Sequence, residues 1–168
     1  ATFFVLGNRV DNFPNIIQRE YSQGHEIGSH SFSHPQITTL TSEEIEYQFA
    51  ETEHRIQQYV PYTTKLIRPP YGQITQSLKE TFVLWSIDTQ DWKTRDKDAI
   101  VSEVLNNVKD GDIILMHDMY STTADACEEL IPALIERGYQ LVTVSELLSA
   151  KEITPVAGSV YSRVLSTE

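Results

Sequence analysis

Apolar residues along this chain fall in short runs separated by longer amphipathic stretches. The runs predict strands at Thr2–Leu6, Glu26–Ser29, Lys65–Arg68, Phe82–Ile87, Asp112–Met116 and Gln140–Val144. Helices are predicted between them. Pro14 suits a first helical turn and opens a helix over Asn15–Gln23, which Gly24 closes. Thr41-Ser42-Glu43-Glu44 reads as a capping box, in which hydroxyl and carboxylate each satisfy an orphan backbone donor. Ile45, Phe49, Ile56 and Val60 then recur on one face and carry that helix to about Val60, before Pro61 stops it. Asp98–Lys109 and Thr123–Arg137 also read as helices, closely followed by Gly111 and Gly138.

Strands joined by helical crossovers run parallel, which favours an α/β barrel or an open doubly wound sheet. The polar residues choose between them. His30 and His34 follow one strand, Arg68 ends another, Asp88 and Asp91 follow a third, and His117 ends a fourth. Polar chemistry at the carboxyl ends of four strands is the arrangement of a barrel's active face. A barrel is the first choice and an open sheet the second. No repeat or linker divides the chain, so residues 1–168 read as one domain.

Charge and length narrow the partners. With 13 Lys or Arg against 24 Asp or Glu in 168 residues, the formal charge is −11, and no basic cluster relieves it. That argues against nucleic acid, whose recognition begins with a basic footprint. The longest apolar runs have four residues each, far below the roughly 20 of a membrane span. Cys127 is the one cysteine, so an intrachain disulfide is excluded. The chain opens at Ala1 directly in a strand-like run, and the expectation is a piece of a longer polypeptide.

The candidate chemistry is ambiguous motif by motif. His30-Ser31-Phe32-Ser33-His34 places two imidazoles four residues apart, where both can face one divalent metal, or be unrelated histidines. His25 and His54 have no such partner and read as structural and solvated. In Arg68-Pro69-Pro70-Tyr71-Gly72 the two prolines lack donors, so the Tyr71 amide is the first free N–H after the arginine, in a turn that could equally be plain surface. Asp88-Thr89-Gln90-Asp91-Trp92 could orient a base or line a sugar site, or cap a helix ahead of a core Trp. A lone His117 at a strand end is structural more often than catalytic.

In this order and at these strand ends, the motifs H-x-x-x-H, R-P-P-Y-G, D-x-x-D-W and L-x-H resemble the polysaccharide deacetylases of carbohydrate esterase family four, the NodB-like fold. The resemblance runs from Ala1-Thr2-Phe3-Phe4-Val5-Leu6-Gly7 through Gly138-Tyr139-Gln140-Leu141-Val142-Thr143-Val144. It implies a distorted (β/α) barrel of about seven strands that removes acetyl groups from sugars with a divalent metal, zinc first, with cobalt, manganese or nickel as alternatives. Carried across by position, His30 and His34 are the metal-ligating imidazoles. Arg68 orients the catalytic base, and the Tyr71 N–H helps form the oxyanion hole. Asp91 pairs with His117, the general acid that protonates the leaving amine. Trp92 is a groove wall, and Leu115 walls the pocket for the acetyl methyl.

One departure stands out. The family's first motif, T-F-D-D-G, carries the base aspartate and a third metal ligand. It should lie just upstream of Ala1, and no Asp-Asp pair occurs here. The first barrel strand is therefore expected to be missing from this chain, with the Asp-Asp motif on a separate or missing N-terminal segment. The Gln73–Thr81 connection and the Val160-Tyr161-Ser162-Arg163 tail resemble bacterial peptidoglycan N-acetylglucosamine deacetylases more than xylan esterases. The expected substrate is that polysaccharide, with chitin oligomers and acetylated xylan as alternatives. Action on it implies an extracellular or cell-wall location, membrane-anchored in the intact protein. Readings from other classes are a catalytically inactive carbohydrate-binding relative and an unrelated metallohydrolase on the same barrel.

Overall fold

The computed structural model describes residues 1–61, 64–75 and 80–165. Among them, strands β1 (Thr2–Val5), β2 (Glu26–Ser29), β3 (Leu66–Ile67), β4 (Thr81–Val83) and β7 (Val160–Tyr161) form a five-stranded sheet in the order β1-β2-β3-β4-β7. Strands β5 (Ile87–Asp88) and β6 (Ile114–Leu115) form a second sheet. All these pairings are parallel, as helical crossovers require. An antiparallel bridge between Asp112 and Arg163 ties the tail beyond β7 to the second sheet. The Asp112 carboxylate accepts from the Ser86 hydroxyl at 2.7 Å and from the Lys109 N–H at 2.7 Å, and pairs with the Arg163 guanidinium. The result is a distorted (β/α) barrel whose wall is open beside β1.

Helices occupy α1 (Gly7–Val10), α2 (Pro14–Ser22), α3 (Ser42–Gln57), α4 (Asp91–Thr94), α5 (Lys97–Asn107), α6 (Ser121–Glu136) and α7 (Val144–Ala150). Pro14 opens α2 as its sequence predicts. The capping box at the start of α3 is complete: Thr41 Oγ1 accepts from the Glu44 N–H at 3.3 Å, and Glu44 Oε2 accepts from the Thr41 N–H at 2.8 Å. Ile45 and Phe49 of α3 pack with Ile37, Ile67 and Phe82. Helices α5 and α6 bury Ile100, Val104, Ala126, Leu130 and Leu134 against Ile87. No described helix is long and apolar enough to cross a membrane.

Two strand expectations need correction, and one strand was not expected. The Phe82–Ile87 run is two strands, β4 and β5, in different sheets; the chain crosses between them at Leu84–Ser86, where the Ser86 N–H bonds the Ile113 carbonyl at 2.9 Å. Gln140–Val144 forms no strand. It has strand-like composition but no ladder partner among the described residues, and a second capping box, Thr143 with Glu146, turns it into α7. The Val160-Tyr161 tail, not predicted as a strand, becomes β7 because β4 offers it an edge. The Gln73–Thr81 connection lies partly outside the described residues.

Candidate active site

The site forms where four strands end. Strand β2 delivers His30, whose N–H bonds the Val5 carbonyl of β1 at 2.9 Å. The chain then turns sharply, with Ser31 at φ 70° and His34 at φ 61°, a left-handed conformation that L side chains rarely adopt. The turn brings the His30 and His34 rings to a centroid separation of 4.8 Å. His30 Nδ1 lies 2.6 Å from the Arg68 carbonyl. A carbonyl only accepts, so Nδ1 carries the hydrogen and Nε2 keeps its lone pair. Burial pushes this imidazole down to about 4; the Arg68 carbonyl bond works the other way, and the charges of His34, Arg68 and His117 add to the lowering. His30 is therefore neutral near pH 7. Burial, with His117, lowers His34 too.

Arg68 follows β3 and is held in a pocket of carbonyls and ring faces. Its Nε donates to the Val83 carbonyl at 3.3 Å and one terminal nitrogen to the Leu84 carbonyl at 3.1 Å. Its guanidinium carbon lies 4.7 Å from the Phe4 ring centroid and 6.0 Å from that of Trp85. No described carboxylate pairs with it, and burial brings it down to about 10. The turn after it sets Tyr71 at φ 58°, with its ring 4.6 Å from that of His34. The Gly72 and Gln73 amides bond back to Pro69 and Pro70, whereas the Tyr71 N–H has no acceptor among the described residues.

Asp91 opens α4 fully buried. Its Oδ1 lies 2.8 Å from His117 Nδ1, and its Oδ2 accepts from the His117 N–H at 2.6 Å and the Thr123 hydroxyl at 2.9 Å. Burial works to raise this carboxyl, but the hydrogen bonds from His117 and Thr123 outweigh it, and it lies below its ordinary value. A carboxylate holding Nδ1–H leaves His117 Nε2 free for proton transfer.

The structure thus gathers His30, His34, Arg68 and Tyr71, and sets His117, paired with Asp91, close enough to depress both imidazoles. Trp92 is 48% exposed on α4, and Leu115 is buried in β6, its carbonyl accepting from Thr89. Asp88 serves its own turn, accepting from the Gln90 N–H at 2.9 Å. His25 stacks edge-on against Phe3, and His54 is exposed on α3, both away from the site as expected. Sequence reading missed two residues. Thr123 left no local signal. Gln48 did: it is a polar residue on the stripe of α3 that carries Ile45, Phe49 and Thr52.

Comparison with known proteins fits this geometry. Residues 1–84 match the family model for polysaccharide deacetylase. The chain is 45% identical over 156 residues to the peptidoglycan-N-acetylmuramic acid deacetylase PdaC of Bacillus subtilis, an alignment covering 90% of this chain and 33% of that protein. It is 39% identical over 155 residues to the peptidoglycan-N-acetylglucosamine deacetylase PgdA of Listeria monocytogenes, with the same coverages of 90% and 33%. The chain therefore spans about a third of the length of these relatives. The solved structure of PdaC matches with a TM-score of 0.88 at 46% identity, over 90% of this chain and 77% of that one. A family 4 acetyl xylan esterase from Clostridium thermocellum, in complex with a cobalt ion, matches with a TM-score of 0.92 at 34% identity, over 98% and 85%.

Proposed function

We infer that this chain, which belongs to the polysaccharide deacetylase family, removes acetyl groups from the N-acetylglucosamine residues of peptidoglycan. The observation that carries this reading is that the Asp91-held His117 lies near enough to the His30–His34 pair for its charge to act on both imidazoles. The names of PdaC and PgdA support peptidoglycan as the polymer, and that of PgdA supports N-acetylglucosamine as the sugar. That substrate places the intact protein outside the membrane, at the cell wall.

The donor set fits a divalent metal. His30 is neutral, with Nδ1 bonded to a carbonyl and Nε2 open, which is the tautomer a metal requires. His30 and His34 would hold the ion, zinc by this reading, and when bound it would supply Lewis-acid activation of water and of the acetyl carbonyl. The described residues contain no cluster of three ligating side chains, whereas a catalytic zinc site uses three. The third ligand and the base belong, on our reading, to a segment bearing two adjacent aspartates. Two features support such a segment. Arg68 is a buried cation with no carboxylate partner among the described residues, a costly state that an incoming aspartate would relieve. Beside it, one edge of β1 has no strand partner among the described residues and Phe3, Phe4 and Val5 are only half-buried, while Val144 approaches from the strand-like run, its N–H bonded to Thr2 Oγ1 at 2.8 Å.

The chain's own residues then divide the work. The Tyr71 N–H donates to the oxygen on which charge develops as the acetyl carbon becomes tetrahedral; such a donor is worth about 10²–10³ in rate. His117 Nε2 delivers a proton to the departing amine nitrogen. Asp91 holds the ring in the orientation for that step. Trp92 offers a face for a sugar ring at the rim.

Acetate release from peptidoglycan, chitin oligomers and acetylated xylan, measured side by side on the polypeptide joined to its Asp-Asp segment, tests the reading. Peptidoglycan should be the preferred substrate, and a chelator should abolish turnover. A strong preference for xylan would overturn the substrate. Binding without acetate release from any of the three would assign the chain to inactive carbohydrate-binding relatives.

A further inference from the structure

We propose that Gln48 of α3 is a positioning residue that holds the His30–His34 turn in its ligand-presenting shape. The inference rests on reading those two histidines as metal ligands.

The turn is strained, with Ser31 and His34 both at positive φ, and such conformations persist only where the surroundings over-determine them. An account of its five backbone N–H groups shows what does so. The His30 N–H goes to the Val5 carbonyl, the Ser31 N–H to Ser29 Oγ at 3.3 Å, and the His34 N–H to Ser31 Oγ at 3.0 Å. The remaining two both go to one side-chain atom: Gln48 Oε1 accepts from the Phe32 N–H at 3.0 Å and the Ser33 N–H at 2.9 Å. Gln48 Nε2 also donates to Ser33 Oγ at 3.2 Å. The carbonyls of Ser31 and Phe32 are taken by the first amides of α1, from Gly7 at 3.1 Å and Asn8 at 3.0 Å, donors that a helix start leaves free. Among the described residues, Gln48 is thus the one side chain from outside the turn and β2 that fixes its peptide planes.

The reach of Gln48 is itself fixed. Its carbonyl accepts from the Thr52 hydroxyl at 2.7 Å, and Thr52 is fully buried where α3 meets α1. A Cβ on Gly7 would lie 2.6 Å from both Thr52 Oγ1 and Phe32 Cδ2, so the two helices and the turn are in closest contact there. The Phe32 ring also stacks edge-on against Tyr47, the neighbour of Gln48, at 5.8 Å. Helix α3 therefore transmits a rigid position to the turn through one amide group.

The test compares Gln48→Met, Gln48→Asn, Gln48→Glu and His30→Ala in the intact protein, by cobalt titration and by urea unfolding of the metal-free forms. Met keeps the length but accepts no hydrogen bond, and Asn keeps the amide but falls one methylene short. Both should weaken metal binding by about 10–100-fold, the range typical of partners that orient ligands. Glu keeps the acceptor and should bind within about threefold of wild type. A purely structural residue would lower the metal-free unfolding midpoint and leave the affinity of the folded form unchanged. Should Met unfold the protein, the shorter Asn decides alone. Wild-type affinity in a folded Met or Asn variant, with His30→Ala impaired, overturns the role of Gln48 and leaves the ligand reading intact. Unchanged affinity in His30→Ala overturns both.

Discussion

The two oxygens of Asp91 grip His117 at both ends, Oδ1 at its ring nitrogen Nδ1 (2.8 Å) and Oδ2 at its backbone N–H (2.6 Å). One buried carboxylate thus sets both the ring's orientation and the path of the chain that carries it. In Asp91→Asn the ring loses the carboxylate that accepts from its Nδ1 and fixes its orientation. With His117 as the general acid, kcat should fall by about 10²–10⁴ with little change in KM. Steady-state kinetics on N-acetylglucosamine oligomers would show this, and a variant within threefold of wild type would remove Asp91 from the proton path.

Thr123 contributes the third hydrogen bond to the same carboxylate. Because the folded Asp91 carboxyl lies below its ordinary value of about 3.9, the stability it contributes is present above that value and lost as pH falls through the folded one. Thr123→Ala should cost about 1–3 kcal/mol at pH 7, as expected for a hydrogen bond to a buried charge, and less near pH 2.5. Urea unfolding at the two pH values checks this; a cost independent of pH would mean that Thr123 matters only for packing.

Glu20 on α2 behaves oppositely. Burial, aided by the Asp118 carboxylate and opposed by Arg19, raises its carboxyl to about 7, and its Oε2 is buried without a partner among the described residues. A folded value above the unfolded one means that stability is fully present below about pH 4.3 and is lost as pH rises through about 7. Glu20→Gln should therefore raise the unfolding midpoint at pH 8 and leave it nearly unchanged at pH 4. An equal offset at both pH values would show that the gain is not electrostatic.

The histidines separate by position. His30→Ala or His34→Ala should lower metal content and activity together, whereas His25→Ala and His54→Ala should spare both. If a segment with two adjacent aspartates supplies the third ligand, as proposed above, residues 1–168 alone should hold metal weakly, and a peptide bearing that segment should tighten binding by at least about 10–100-fold. Elemental analysis of the four variants, with metal titration before and after adding the peptide, measures these. Equal metal loss in all four would indicate general destabilisation.

What the sequence determined by itself is local. The capping box of Thr41 and Glu44, the Pro14 start of α2 and the placing of His30 and His34 one turn apart depend on groups three or four residues from each other, and each is legible in a short window. The strand-end positions of His30, Arg68, Asp91 and His117 were legible too, because apolar runs stop where the chain leaves the barrel wall. Tertiary structure decided the rest. A strand exists only when a neighbour completes its ladder, so strand-like Gln140–Val144 finds no ladder partner among the described residues while the unremarkable Val160-Tyr161 pairs with β4. Likewise Asp91 and His117 stand 26 residues apart, and Gln48 reaches a turn 15 residues away. Only the packing of α3 on α1, and of α4 beside β6, brings those atoms within hydrogen-bond distance, and a contact made by packing leaves no period or spacing in the chain.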